Sequence, residues 1–399
     1  MSGRGLLQLP GPTNVPDRVL RAIARPTIDH RGAQFQRLYQ EVVEGLRDVF
    51  RTEGRIAIWP ASGTGASEAA LVNTLSPGDH VLAFETGYFS DAWTATARRH
   101  ALEVDYVPGD WRHPVDLEVL AQRLDDDPGR QIKAVLVVHN ETSTGVRSDI
   151  AGIRRTLDAA GHPALLLVDV VSSLASSDYR HDEWGVDVAF AGSQKGLMVP
   201  PGLSFNAISD KALAAHRTST FLSSFWDWGP ILEIGAKGFT PYTPSTNLLA
   251  GLGEALAMLR EETLDGVIAR HRRHAAITRA AVASWGLETV CQVPEAASDT
   301  LTAVLPADAQ ADEVRRIALE RFDVTLGSGL GKLAGKAFRI GHLGDLNDVM
   351  LAGALCAVEW ALRDAGAHLA SGLDIAAFQA PAPVEPATTA PATRQPVTA

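Results

Sequence analysis

Between Arg55 and Asn206 the chain alternates short runs that are apolar at nearly every position with stretches whose apolar residues recur at helical spacing. The runs HVLAFE from His80, KAVLVVHN from Lys133, ALLLVDVV from Ala164 and VDVAFAGS from Val186 read as strands. A strand that is apolar on both faces has to be covered on both faces, which is the condition of a parallel sheet between two layers of helices. The intervening DIAGIRRTLDAAG is helical, with Asp149 placed to cap its start and Gly161 to end it. Strand–helix–strand alternation at this spacing predicts an α/β fold with crossover connections.

After Glu262 the texture changes. A basic helical stretch, VIARHRRHAAITRAAVASWG, leads to strand-like LETVCQV and TLTAVLP. A helix from Ala311, a glycine-rich loop, the strand AFRIGHLG and a last helix to about Ala365 follow. This predicts a smaller α+β domain over 263–375 behind a large domain over 1–262. From 376 to 399 alanine, proline and threonine dominate; such a segment buries too little surface to offset its ordering and is expected to be disordered.

The 399 residues give room for two or three domains. With 36 basic and 47 acidic side chains the net charge is −11, which argues against a nucleic-acid partner. No apolar run is long enough to cross a bilayer, and the first residues do not read as a signal peptide, so a cytoplasmic protein is expected. Two distant cysteines, Cys291 and Cys356, organise neither a disulfide scaffold nor a metal site, and no metal is expected.

Four features carry chemistry. SGTGASEAALVNTL, from Ser62, places small residues at a strand-to-helix turn; read functionally, Thr64, Gly65 and Ala66 hold a phosphate group, and read structurally the glycines permit the bend. Asp169 ends a buried strand, where α/β proteins bind ligands; it is a turn or cap residue, a magnesium ligand, or a carboxylate facing a ring nitrogen. Lys195, 26 positions after Asp169 and flanked by Gly192, Ser193 and Gly196, is a surface charge or a Schiff-base amine. Arg339 lies in an apolar strand, where it needs a carboxylate from the protein or from a substrate. Anchor, electron sink, amine and carboxylate clamp together are what a pyridoxal-phosphate enzyme requires.

The segments LPGPTNVPDRVLRA, PTIDHRG, SGTGASEAALVNTLSPGD, HNETSTGV, LLLVDVVSSL, GSQKGLMVPPGL, YTPST and FRIGHLG run in order from Leu9 to Leu346. In them the chain resembles the class V aminotransferases of fold type I, specifically the serine/alanine/aspartate–glyoxylate group. The resemblance implies a seven-stranded sheet in the large domain, pyridoxal 5'-phosphate as cofactor, and Lys195 as its Schiff-base residue and proton shuttle. It implies that Asp169 pairs with the pyridine nitrogen, with Val171 on one ring face and Phe89 on the other. Thr142 is expected on the phenolic oxygen, and Thr64, Gly65, Ala66 and Gln194 on the phosphate. Thr243 is expected to reach the phosphate of a partner subunit in a homodimer. The family's tyrosine three residues earlier is Thr240 here, with Tyr242 as its candidate substitute. Arg339 would clamp the substrate carboxylate and Gly11 would line the substrate pocket.

The activity implied is ping-pong transfer of an amino group to glyoxylate. Serine is the first donor expected, with alanine, aspartate or 3-hydroxyaspartate as alternatives; an acidic donor wants a further basic residue, for which His30 and Arg31 are candidates. Other pyridoxal-phosphate reactions, such as a lyase, a phosphonate transaminase or a desulfurase, are alternatives on the same scaffold. A non-catalytic binding protein is the alternative of a different class.

Overall fold

A computed structural model describes residues 5–379. In chain order, β1 (Leu6–Gln8), α1 (Asp17–Ile23) and α2 (Ala33–Phe50) lead into β2 (Arg55–Trp59), α3 (Gly63–Thr74), β3 (His80–Phe84), α4 (Tyr88–Arg99), β4 (Glu103–Val107), α5 (Leu117–Asp125) and β5 (Ile132–Val138). A small hairpin, β6 (Asn140–Glu141) and β7 (Val146–Arg147), precedes α6 (Ile150–Ala159), β8 (Leu165–Asp169), β9 (Val188–Gly192), β10 (Ser204–Ile208), α7 (Asp210–His216), α8 (Trp228–Gly235) and α9 (Thr246–Glu262). Then come α10 (Leu264–Ser284), β11 (Glu288–Thr289), β12 (Leu301–Leu305), α11 (Ala311–Phe322), β13 (Val324–Ser328), β14 (Phe338–Gly341) and α12 (Asp348–Asp364).

Seven strands form one sheet in the order β2-β10-β9-β8-β5-β3-β4, parallel apart from β10, which runs against both neighbours. The two-sided apolar runs are explained by its two cores. Along β8, Leu166 and Val168 face the core shared with α2 and α9, while Leu165 and Leu167 face the core shared with α3. Ala66, Ala69 and Ala70 of α3 are fully buried there, and their small side chains let the helix lie close to the sheet. Asp149 caps α6 as expected, accepting the Gly152 N–H at 2.8 Å, and Gly161 takes a left-handed φ of 55° just past its end. The first turn of α3 starts at Gly63, three residues before its apolar pattern does.

A second sheet has the order β1-β13-β14-β12-β11, with β1 parallel to β13 and the other pairs antiparallel. Its edge strand β1 comes from the N-terminus, so the chain touches this sheet before it builds the large one. α11 and α12 cover one face with Val314, Leu351, Leu355 and Val358. The strand expected over LETVCQV shortens to Glu288–Thr289 because the Gln292 N–H bonds the Arg112 carbonyl at 3.1 Å and Pro294 opens a 3-10 turn. The expected tail lies outside the described residues from 380 onward. Residues 376–379 are in a 3-10 turn, Ile375–Gln379, where Phe378 packs on the second core and its carbonyl accepts from Arg273 at 2.6 Å.

Candidate active site

The carboxyl ends of the parallel strands open on a cavity of ≈ 270 Å³ whose wall includes both Asp169 and Lys195. Lys195 is the one buried lysine among the described residues, 8% exposed. Its Nζ donates to the Pro10 carbonyl. The next residue has to be glycine: Gly11 takes a φ of 97°, and a Cβ on it would stand 2.4 Å from Lys195 Cδ. Thr13 fastens this N-terminal loop, donating its hydroxyl to the Lys195 carbonyl and its N–H to the Gln194 carbonyl, both at 3.1 Å. Burial lowers the Lys195 amine from 10.5 to about 8; the Arg339 charge adds to the shift and Asp169 opposes it.

Asp169 ends β8, and its Oδ1 accepts the Val171 N–H at 2.8 Å. Burial raises the carboxyl to about 7 against that hydrogen bond, with the Glu141 charge adding to the rise and Lys195 opposing it. A carboxyl poised this way ionises when a cation arrives beside it. Val171 and Phe89 both contribute to the cavity wall.

The start of α3 lines the same cavity. Ser62 provides no side-chain cap, and among the described residues the N–H groups of Gly63, Thr64 and Gly65 have no protein acceptor. Thr64 and Gln194 line the cavity here, and the buried Gln194 Oε1 has no partner. The glycines are also fixed by packing. A Cβ on Gly63 would meet Val171 Cγ2 at 2.7 Å, and one on Gly65 would meet the Trp226 ring at 2.5 Å.

Thr142 lines the cavity and donates its hydroxyl to Ser172 Oγ at 2.7 Å. Its carbonyl accepts from Arg339 Nη1 at 2.8 Å, and Arg339 Nε donates to the Ser328 carbonyl at 2.7 Å. Arg339 thus stands behind Thr142, 8% exposed; among the described residues its Nη2 has no hydrogen-bond partner and no carboxylate lies within ion-pair distance. The internal salt bridge that an arginine in this strand suggested is absent there. Burial lowers Arg339 to about 10, opposed by the charge of Glu141. That fully buried acid was missed by sequence reasoning, although it sits inside HNETSTGV; a lone glutamate beside threonine and serine carries no spacing signal.

Several expected residues are not on this chain's cavity wall. The Ala66 N–H is spent on the Ser62 carbonyl, so it is not free for an anion. Tyr242 does not reach this chain's cavity: its hydroxyl donates to the Ile58 carbonyl and its ring lies 5.6 Å from that of Phe225. Thr243 is exposed. His30 and Arg31 are off the cavity wall, and Arg31 Nη1 points to the Thr240 carbonyl at 3.4 Å. Neither cysteine is near: Cys291 Sγ faces the Val293 carbonyl, and Cys356 lies on α12, so a desulfurase nucleophile has no support. Among the described residues no cluster of metal-ligating side chains occurs, and no helix is long and apolar enough to cross a membrane.

The residues present fit pyridoxal phosphate. Unbonded N–H groups at a helix start suit its phosphate, and the orphaned Gln194 amide can turn its NH₂ toward the same group. A buried carboxyl suits its ring nitrogen, and a desolvated amine suits its aldehyde.

Comparison with known proteins agrees. The family model for aminotransferase class-V matches residues 6–332. A serine–glyoxylate aminotransferase from Methylorubrum extorquens is 47% identical over 94% of this chain and 95% of its own. An L-aspartate–glyoxylate aminotransferase from Paracoccus denitrificans is 43% identical over 95% and 96%. Among solved structures, an alanine–glyoxylate aminotransferase from Nostoc sp. superposes with a TM-score of 0.85 at 31% identity, covering 91% of this chain and 96% of that one. The chain belongs to the class V aminotransferases, pyridoxal-phosphate enzymes of fold type I.

Proposed function

We propose that this enzyme moves the amino group of a small amino acid, serine first, to glyoxylate, releasing a 2-keto acid and glycine in two half-reactions. The observation that carries the reading is a buried amine and a buried carboxyl in one cavity, each shifted toward its neutral form. Pyridoxal phosphate, when bound, supplies an aldehyde that takes up the amino group and a ring that accepts electrons from the substrate Cα. Lys195 removes the proton from Cα and delivers it to the cofactor's C4' carbon, which its neutral form permits near physiological pH. Asp169 would hold the ring nitrogen protonated, with Val171 and Phe89 against the ring. Thr142 would serve the phenolic oxygen, and Thr64 and Gln194, with the N–H groups of Gly63 and Gly65, would hold the phosphate. Arg339 has Nη2 unspent for the α-carboxylate shared by donor and acceptor, and Gly11 leaves space beside Lys195.

The serine–glyoxylate relative from Methylorubrum extorquens supports serine as the first donor. The Paracoccus relative keeps aspartate as the second reading. We further propose a homodimer in which Thr243 serves the neighbouring site; the exposed Leu222 and Phe225, beside Trp226, support a covered face there. In this reading residues 1–262 form the cofactor domain and 263–375 the small domain, with β1 lent to the latter's sheet. The test is a donor panel at fixed glyoxylate: serine with the highest kcat/KM supports the reading, and aspartate ahead of serine by tenfold or more overturns the donor assignment.

A further inference from the structure

The buried acid Glu141 has no part in the roles above, yet it is bound on every side. It is fully buried on β6, and burial pushes its carboxyl up against its hydrogen bonds. Oε2 accepts the N–H groups of Phe89 and Ser90, each at 3.1 Å, and Oε1 accepts the Ser143 N–H at 3.0 Å and the Ser143 hydroxyl at 2.7 Å. Ser143 Oγ in turn accepts the Tyr88 N–H at 2.9 Å. All three leading N–H groups of α4 therefore end on this carboxylate or on the serine it binds. Gly87 makes the room, since a Cβ on it would stand 2.4 Å from Glu141 Cγ.

A buried carboxylate is a costly way to cap a helix, and most caps are short, exposed side chains. What distinguishes this turn is that its second residue, Phe89, presents its ring to the cavity. We propose that Glu141 is a positioning residue for Phe89: it clamps the backbone on both sides of that residue and so fixes the ring against which the cofactor packs. The inference rests on the reading of Phe89 as a ring-packing residue. Glu141 also supplies a charge that supports Arg339 and opposes ionisation of Asp169 without contacting either. Its amide counterpart cannot do this work, because an NH₂ group would face N–H and O–H donors.

The test is a double-mutant cycle on the holoenzyme, reading the dissociation constant of pyridoxal phosphate by equilibrium dialysis and its visible circular dichroism. Glu141→Gln should weaken cofactor binding about tenfold and reduce the dichroic band. In a Phe89→Ala background the same change should cost no more than about twofold, because the ring it positions is gone. An equal loss in both backgrounds, or no loss in either, overturns the proposal, since a structural cap would act additively. If Phe89→Ala alone leaves the dissociation constant unchanged, the ring-packing reading fails and this inference falls with it. Should Glu141→Gln not fold, Ser143→Ala removes one anchor of the carboxylate and the Tyr88 acceptor. It should then weaken binding about threefold, again only where Phe89 is present.

Discussion

The fold denies the Lys195 ammonium both water and a close countercharge, and that has two measurable consequences. With the amine lowered from 10.5 to about 8, roughly a quarter is neutral at pH 7.5, against about one in a thousand for a solvated lysine. Cofactor-stripped enzyme mixed with pyridoxal phosphate should therefore gain its visible band at a rate that rises with pH and levels off above about pH 8. The shift also costs stability. In the folded chain the amine loses its proton near pH 8 and in the unfolded chain near 10.5, so below pH 8 both states are charged and the native state bears the full penalty. That penalty is about 3 kcal/mol for a pKa lowered from 10.5 to about 8, and it disappears as pH rises from 8 through 10.5. Lys195→Met removes it and leaves the Pro10 carbonyl without its donor, a loss of about 1 kcal/mol. The stripped variant should be more stable than the stripped parent by about 2 kcal/mol at pH 7, with the gain fading by pH 10. Urea unfolding at the two pH values measures it. A rate that keeps climbing to pH 10, together with a Met variant no more stable than the parent, would refute the desolvated amine.

Three other outcomes follow from the same geometry. Asp169→Asn should keep the cofactor, as its absorbance will report, while kcat falls about a hundredfold because the ring nitrogen loses its anionic partner. Arg339→Lys should raise KM for donor and acceptor together by about tenfold or more, since a lysine cannot reproduce the planar fork now bonded to Thr142 and Ser328; steady-state kinetics with both substrates varied reads this. His139, His181 and His271 are buried and lowered to about 3, 4 and 3, so between their ordinary pKa near 6.5 and those values the unfolded chain binds protons the native chain refuses. Each should cost about 2 kcal/mol at pH 5 relative to neutral pH, and denaturant midpoints that do not fall between pH 7 and 5 would contradict it.

Residues whose roles depend on the chain near them were readable in sequence. Asp169 and Lys195 sit where apolar strands end, and strand ends in a parallel sheet share one edge, so the two converge without knowledge of any contact. Residues whose roles depend on what packs against them were not. Gly65 was read for its phosphate contact or for the bend it permits, yet the Trp226 ring, distant in sequence, is what excludes a side chain there, as Val171 does at Gly63. Glu141 was invisible because the partners that tie it to α4 are the backbone N–H groups of Phe89 and Ser90, which leave no signature of residue type. Tyr242, the candidate substitute for the tyrosine missing at Thr240, donates its hydroxyl to the Ile58 carbonyl on the edge strand β2, a partner that adjacency to Thr243 does not reveal. The pairing of β1 with β13 bridges more than three hundred residues, and three residues of strand carry no hint of such a partner.

Everything proposed for the site depends on Lys195 carrying the cofactor. Borohydride reduction of the holoenzyme followed by peptide mass mapping addresses it in one step. The expected result is a phosphopyridoxyl group on the peptide containing Lys195, lost in Lys195→Ala. The same group on Lys211, Lys237 or another exposed lysine, or on none, would contradict the account.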